Sequence, residues 1–156
     1  MPTTAHHTPP GGGVRYEMTD GVHIVKASAE DTCGVFEMFE VLAHPGPAAP
    51  PHRSPWSGSL HVLEGTLSAQ VEGTTYELTV GATLVIEPLA AFTFWVDGAA
   101  ARFLAVTTGD GAGRFFADFA ANVPAGKPVE EVLPQLLAVT QRHGVSIAAP
   151  ADGADG

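Results

Sequence analysis

The sequence predicts an all-β barrel or sandwich followed by short helices. Apolar and polar residues alternate along most of the middle of the chain. Turn signals interrupt that alternation at short intervals. After Gly113 the apolar period lengthens to that of a helix.

The elements follow in order. Residues 1–13, MPTTAHHTPPGGG, are of low complexity and predict an unstructured N-terminal tail. His6 and His7 stand side by side in it, but a tail without fixed geometry is a poor metal site. Strands are expected over 23–27 and 35–43, then over 60–63. Leu67, Ala69 and Val71 alternate with polar neighbours up to Glu72-Gly73, a hairpin turn, and Tyr76, Leu78 and Val80 resume the alternation. Leu84 and Ile86 belong to a further strand, Phe92, Phe94 and Val96 to another, and 102–107 to the last. These runs make up a barrel domain over 14–112. Residues 113–146 carry the helices. Phe115, Phe116 and Phe119 sit at helical spacing, and EEVLPQLLAVTQRHG has acids in its first turn and Arg142-His143 in its last. Pro134 fits only near a helix start, which places that start at Val129 to Glu131. The helices are expected to cover one end or face of the barrel. Residues 147–156 read as a flexible tail.

Composition narrows the function. A chain of 156 residues, 45% hydrophobic and 15% charged, suits one folded domain. Its net charge of −10, with 7 Lys and Arg scattered along it, argues against nucleic acid as a partner. No apolar run approaches the roughly 20 residues that span a bilayer, and the N-terminus lacks the pattern of a signal peptide. The single cysteine, Cys33, cannot form an internal disulfide, fits a reducing cytoplasm, and is read as structural. There is no phosphate-binding Gly-Lys-Ser/Thr loop, no Gly-x-Ser-x-Gly elbow and no His-Glu-x-x-His motif.

Two stretches carry a resemblance. HPGPAAPPHRSPWSGSLHVLEG has a Pro45-Gly46 turn, then His52, Ser54, Gly58 and Gly65. GATLVIEPLAAFTFWV has Gly81, then Glu87, Leu89, Phe92 and Val96. This order resembles the cupin superfamily, in particular small single-domain cupins similar to quercetin dioxygenase-like proteins, over residues 35 to 143. The resemblance implies a jelly-roll (double-stranded β-helix) barrel. It also implies that the family's four metal-ligand positions are occupied here by His52, Ser54, Gly58 and Phe92. Only His52 is a good ligand, whereas catalytic zinc takes three protein ligands and non-haem iron two His and a carboxylate. The expectation is therefore a cupin with degenerate motifs and no metal or other cofactor. A rebuilt site from His44, His52 and His61 is an alternative, although strand alternation turns His61 away from the interior.

In the register the resemblance implies, Ser54, Leu60, Val62, Ile86, Phe92 and Phe94 line the interior beside His52. Such a lining suits an apolar or aromatic small molecule held by one or two hydrogen bonds, or a barrel that has simply filled itself. His52 is the candidate acid–base group, because imidazole titrates near neutrality. Glu87, at a strand end near the cavity mouth, is a second catalytic candidate if partial burial raises its pKa. Trp56 is expected in a loop across the mouth, as a lid or a stacking surface for the ligand. His61 and Trp95 are expected to face outward, and Glu64 to sit in a turn.

The function these features predict is isomerisation, cyclisation or dehydration of an apolar metabolite, in natural-product biosynthesis. A non-catalytic small-molecule-binding cupin is one alternative; a metal-dependent, dioxygenase-like cupin with unusual ligands is another. A homodimer is expected, because open sheet edges and outward aromatics need cover.

Overall fold

A computed structural model describes residues 4–148. In chain order its elements are β1 (Arg15–Met18), β2 (Gly21–Ala27), β3 (Phe36–Ala43), β4 (His52–Arg53), β5 (Gly58–Glu64), β6 (Leu67–Val71), β7 (Thr74–Leu78), β8 (Thr83–Ile86), β9 (Phe92–Trp95), β10 (Ala101–Thr108), α1 (Gly111–Asn122), α2 (Val129–Arg142) and β11 (Ser146–Ile147). Two antiparallel sheets, ordered β1-β2-β3-β10-β5-β8 and β11-β4-β9-β6-β7, face each other as a jelly roll. No helix among the described residues is long and apolar enough to cross a membrane.

Alternation explains which residues face inward. On β3, Phe39, Val41 and Ala43 are buried while the residues between them are partly exposed, and β10 does the same with Ala101, Phe103 and Ala105. Strand pairing lines these residues up in rows across the first sheet. One row runs His23, Val41, Phe103, Val62; another runs Glu37, Thr107, Gly58, Ile86. The expected turn at Glu72-Gly73 is present with φ of 49° and 83°, the doubly left-handed geometry of a tight hairpin.

Three short strands were not foreseen. β1 joins β2 through Thr19-Asp20, and Gly21 follows at φ 144°, where a Cβ would lie 2.1 Å from the Leu42 carbonyl oxygen. β4 is only two residues long and is held between β9 and β11. β11 falls partly within the tail expected over 147–156, of which residues 149–156 lie outside the described residues. Residues of the N-terminal tail meet neighbouring segments. Thr8 donates to the Lys26 carbonyl (3.0 Å), Lys26 Nζ donates to the Gly12 carbonyl (2.9 Å), and His6 meets Asp31 at 3.3 Å. These are contacts to backbone and side chains of neighbouring segments, which composition alone does not reveal; residues 1–3 lie outside the described residues.

Both helices lie over one end of the barrel. Their buried faces, with Phe115, Phe119, Val132, Leu136 and Val139, form a second apolar cluster with Met18 and Val145. α2 begins at Val129, with Pro134 in its second turn. α1 begins at Gly111, two residues earlier than the sequence period suggests, and no side chain of its own caps it. The cap comes from the barrel instead. Glu37 on β3, 4% exposed, accepts a hydrogen bond from the Gly113 N–H at 3.0 Å. Burial, helped by the charge of Asp110, pushes the Glu37 carboxyl above its ordinary pKa, against the pull of the Gly113 N–H. The helices are tied together where Asp118 receives Arg142 Nε and Nη2 (each 2.9 Å) and meets His143 Nε2 (2.8 Å). Hydrogen bonds from Arg142, then His143, hold the Asp118 carboxyl far below its ordinary pKa.

Candidate functional site

Between the barrel core and the helical cluster lies a cavity of about 160 Å³. A buried water takes about 10–15 Å³ by a comparable measure, so this space suits a small organic molecule. Phe92, Phe94 and Phe103 form its wall on the barrel side; Phe115, Phe116 and Phe119 close it on the helix side. Phe94 meets Phe103 at 5.4 Å between ring centroids, and Phe115 meets Phe116 at 5.8 Å. Aromatic walls of this kind favour flat apolar ligands.

His52 is on the cavity wall. β4 holds it directly opposite Phe92 on one side and Ile147 on the other, and its ring stands edge-on to Phe92 at 5.8 Å. Burial lowers the His52 pKa, while the Asp20 carboxylate and the Pro50 carbonyl push the other way. The net direction is down, so His52 is largely neutral at pH 7 and has a free lone pair to accept a proton. Ser54, Leu60, Ile86 and Phe94 also reach the cavity, as does Trp56.

Three residues sit differently from the sequence expectation. Val62 is 1% exposed in the barrel core and does not line the cavity, although His23, Val41 and Phe103 of its row do. Glu87 is at the rim but exposed, so the burial that would prepare it for acid–base work is missing. Trp56 is half-buried under α1, not a free lid. A Cβ on Gly111 would lie 3.0 Å from its ring, and Phe115 stands 5.9 Å from it.

Sequence reasoning missed a second polar group on the cavity wall, within electrostatic reach of His52. Asp20, in the β1–β2 turn, and His23 on β2 form it, with His23 Nε2 3.2 Å from Asp20 Oδ1. Burial alone would raise the Asp20 carboxyl, but the His23 hydrogen bond, with the electrostatic pull of the His23 and His52 rings, outweighs it and keeps the pKa below its ordinary value. An Asp-Gly pair after the alternating Tyr16 and Met18 marks a hairpin, and was the available signal. Thr107, the inward residue of β10 beside Glu37, also lines the cavity. Two buried polar atoms have no hydrogen-bond partner among the described residues: His23 Nδ1 and Thr107 Oγ1.

The donor set does not suit a metal. Of the positions to which the resemblance assigns ligands, His52 alone offers one, since Ser54, Gly58 and Phe92 complete the set. Among the described residues no group of three His, Cys, Asp or Glu side chains comes together as a cation site. His44 is exposed, and His61 points out of the barrel with its Nδ1 2.7 Å from Thr83 Oγ1. Trp95 lies against Asp97 through its indole N–H at 3.2 Å, Glu64 pairs with Arg102 at 3.0 Å, and Cys33 is exposed rather than part of a core.

A two-sheet antiparallel barrel with its cavity capped by helices is the cupin fold, and the comparisons agree. The family described as "Cupin domain" matches residues 39–107. An RmlC-like cupin from Shewanella frigidimarina NCIMB 400 superposes with a TM-score of 0.61 at 14% identity, covering 73% of this chain and 99% of that one. KdgF from Halomonas sp. does so at 0.62 and 12%, covering 71% and 99%. The polyketide cyclase RemF from Streptomyces resistomycificus gives 0.56 and 23%, covering 69% and 80%. The chain spans 40% of the length of the DMSP lyase DddQ from Ruegeria pomeroyi DSS-3, at 18% identity over 49% of this chain and a TM-score of 0.46, too low to carry an argument. At these identities the likeness is one of fold. No curated protein matches the chain.

Proposed function

We propose that this cupin binds a largely apolar small molecule in its cavity and isomerises, cyclises or dehydrates it by proton transfer at His52, without a protein-bound metal. The observation that carries the reading is a cavity walled by aromatic rings with the His52 imidazole on its wall, its pKa lowered by burial. The walls hold a flexible substrate in one conformation and keep water from a reactive carbanion or enol. His52 takes a proton from the substrate and returns it at another position; in a dehydration the same proton leaves with the departing hydroxide as water. The polyketide cyclase among the structural neighbours supports this class at the level of fold, and natural-product biosynthesis is the setting it suits.

The test is incubation with the products of whichever enzymes are encoded beside this gene, read by chromatography and mass spectrometry. Isomerisation or cyclisation gives a product of unchanged mass, and dehydration one lighter by a water. His52→Ala should lower turnover by roughly 10²–10⁴ while leaving the circular dichroism spectrum unchanged. Tight binding with no conversion would make the protein a carrier or sensor.

A further inference from the structure

His23 is 5% exposed and Thr107 6%, and both line the cavity. Buried polar atoms are almost always hydrogen-bonded, so two unpartnered ones on one cavity wall ask for explanation. The chemistry of the first is fixed by its neighbour. A carboxylate only accepts, so His23 Nε2, 3.2 Å from Asp20, carries the hydrogen and donates it. In the neutral ring Nδ1 then presents a lone pair, with the Phe116 ring 4.5 Å away and no donor among the described residues. The second atom, a hydroxyl oxygen, can donate or accept. His23 is level with Phe103 across the sheet, and Thr107 lies four residues further along β10 and two strands over from β2, roughly 16 Å away at ~3.3 Å per residue and ~4.8 Å per strand. The aromatic walls fill the interval.

We propose that the cavity's ligand is an elongated, mostly apolar molecule with a hydroxyl that donates to His23 Nδ1 and a second oxygen that meets Thr107. This deepens the reading above, because it takes the cavity as the ligand site, but it does not depend on His52 being the proton carrier. Asp20 is a positioning residue here, fixing which nitrogen of His23 accepts.

Biphenyl, 4-hydroxybiphenyl and 4,4′-dihydroxybiphenyl serve as probes, titrated by quenching of tryptophan fluorescence. Each hydroxyl should tighten binding by roughly three- to tenfold, the net worth of one hydrogen bond. His23→Phe should remove one increment and Thr107→Val the other, both leaving biphenyl affinity within about twofold. The probes undergo no turnover, so these affinities are read independently of catalysis at His52, and His61→Ala, on the outer face of the barrel, should leave all three unchanged. Nitrogen-15 NMR of His23 in the parent protein needs no variant: Nδ1 should appear unprotonated and shift on adding 4-hydroxybiphenyl but not biphenyl. Equal affinity for the three probes, or a protonated Nδ1 in the free protein, would overturn the assignment while leaving an apolar pocket intact. Failure of every probe to bind would overturn both the assignment and the pocket.

Discussion

The joint between Glu37 and Gly113 decides whether α1 seats on the barrel, and it can be tested by a reversal of sign. A Cβ added at Gly113 would lie 2.1 Å from Glu37 Oε2 and 3.2 Å from its Cδ. The carboxyl would have to move, breaking its 3.0 Å bond to the Gly113 N–H and leaving a helix N-terminal donor unpaired. Such a loss costs about 1–3 kcal/mol. Alanine in a helix gains about 0.8–1 kcal/mol over glycine, so Gly113→Ala should be net destabilising by about 1 kcal/mol. In thermal unfolding that is a fall of about 2–4 °C for a chain of this size. In a Glu37→Ala background the obstacle is gone, and the same Gly113→Ala change should stabilise by about 1 kcal/mol. A rise in melting temperature of equal size in both backgrounds would refute the reasoning. The pH dependence follows from the same group. Its folded pKa is raised, so the folded state binds the extra proton; this contribution is complete below the ordinary carboxyl value of 4.5 and is lost as pH rises through the folded pKa. Glu37→Gln should flatten that loss.

Two further outcomes rest on His52 and its neighbours. Because burial lowers its pKa, the acid limb of kcat/KM should fall below pH 6.5, and a limb above 6.5 would show that another group carries the proton. Rebuilding a metal site tests the alignment of the strands: Ser54→His with Phe92→His, beside His52, should bind Zn²⁺ or Ni²⁺ and raise the melting temperature, by about 2.7 kcal/mol of stabilisation at a hundredfold excess over Kd. Adding Gly58→Glu is sterically open, since a Cβ there meets only the Val106 carbonyl oxygen at 3.6 Å and Thr107 Cγ2 at 3.7 Å. A folded double variant indifferent to metal would show that these side chains do not converge.

Much of the barrel was legible because it is written in alternation. Phe39-Val41-Ala43 and Leu60-Val62 each bury every second residue, and a one-residue slip would expose them all. Of the strands that escaped, β4 and β11 are two residues long, too short to show a period, while β1, four residues long, alternates only at Tyr16 and Met18 before its turn. Part of the cavity lining was legible for the same reason: Leu60, Ile86, Phe92 and Phe94 follow from strand faces. Val62 did not follow, because alternation tells inside from outside but not cavity wall from packed core. The Asp20–His23 pair depends on how a hairpin curls over the barrel end, and the hidden cap at Glu37 on a contact between residues 76 apart. The Asp20-Gly21 pair marks the hairpin but not where it comes to rest, and no local pattern encodes the cap.

The pairing of β11 with β4 has a bearing on biosynthesis. Arg53 and His52 receive Ser146 and Ile147 as their sheet neighbours, from a strand that follows both helices. During translation β4 is therefore made early and waits, with one edge unpaired, until nearly all of the jelly roll and both helices have emerged. Such distant pairing is slow to form, and an open edge is where nascent chains recruit one another. A ribosome stalled after α2 would leave a folded body in which His52 lies on an unclosed seam.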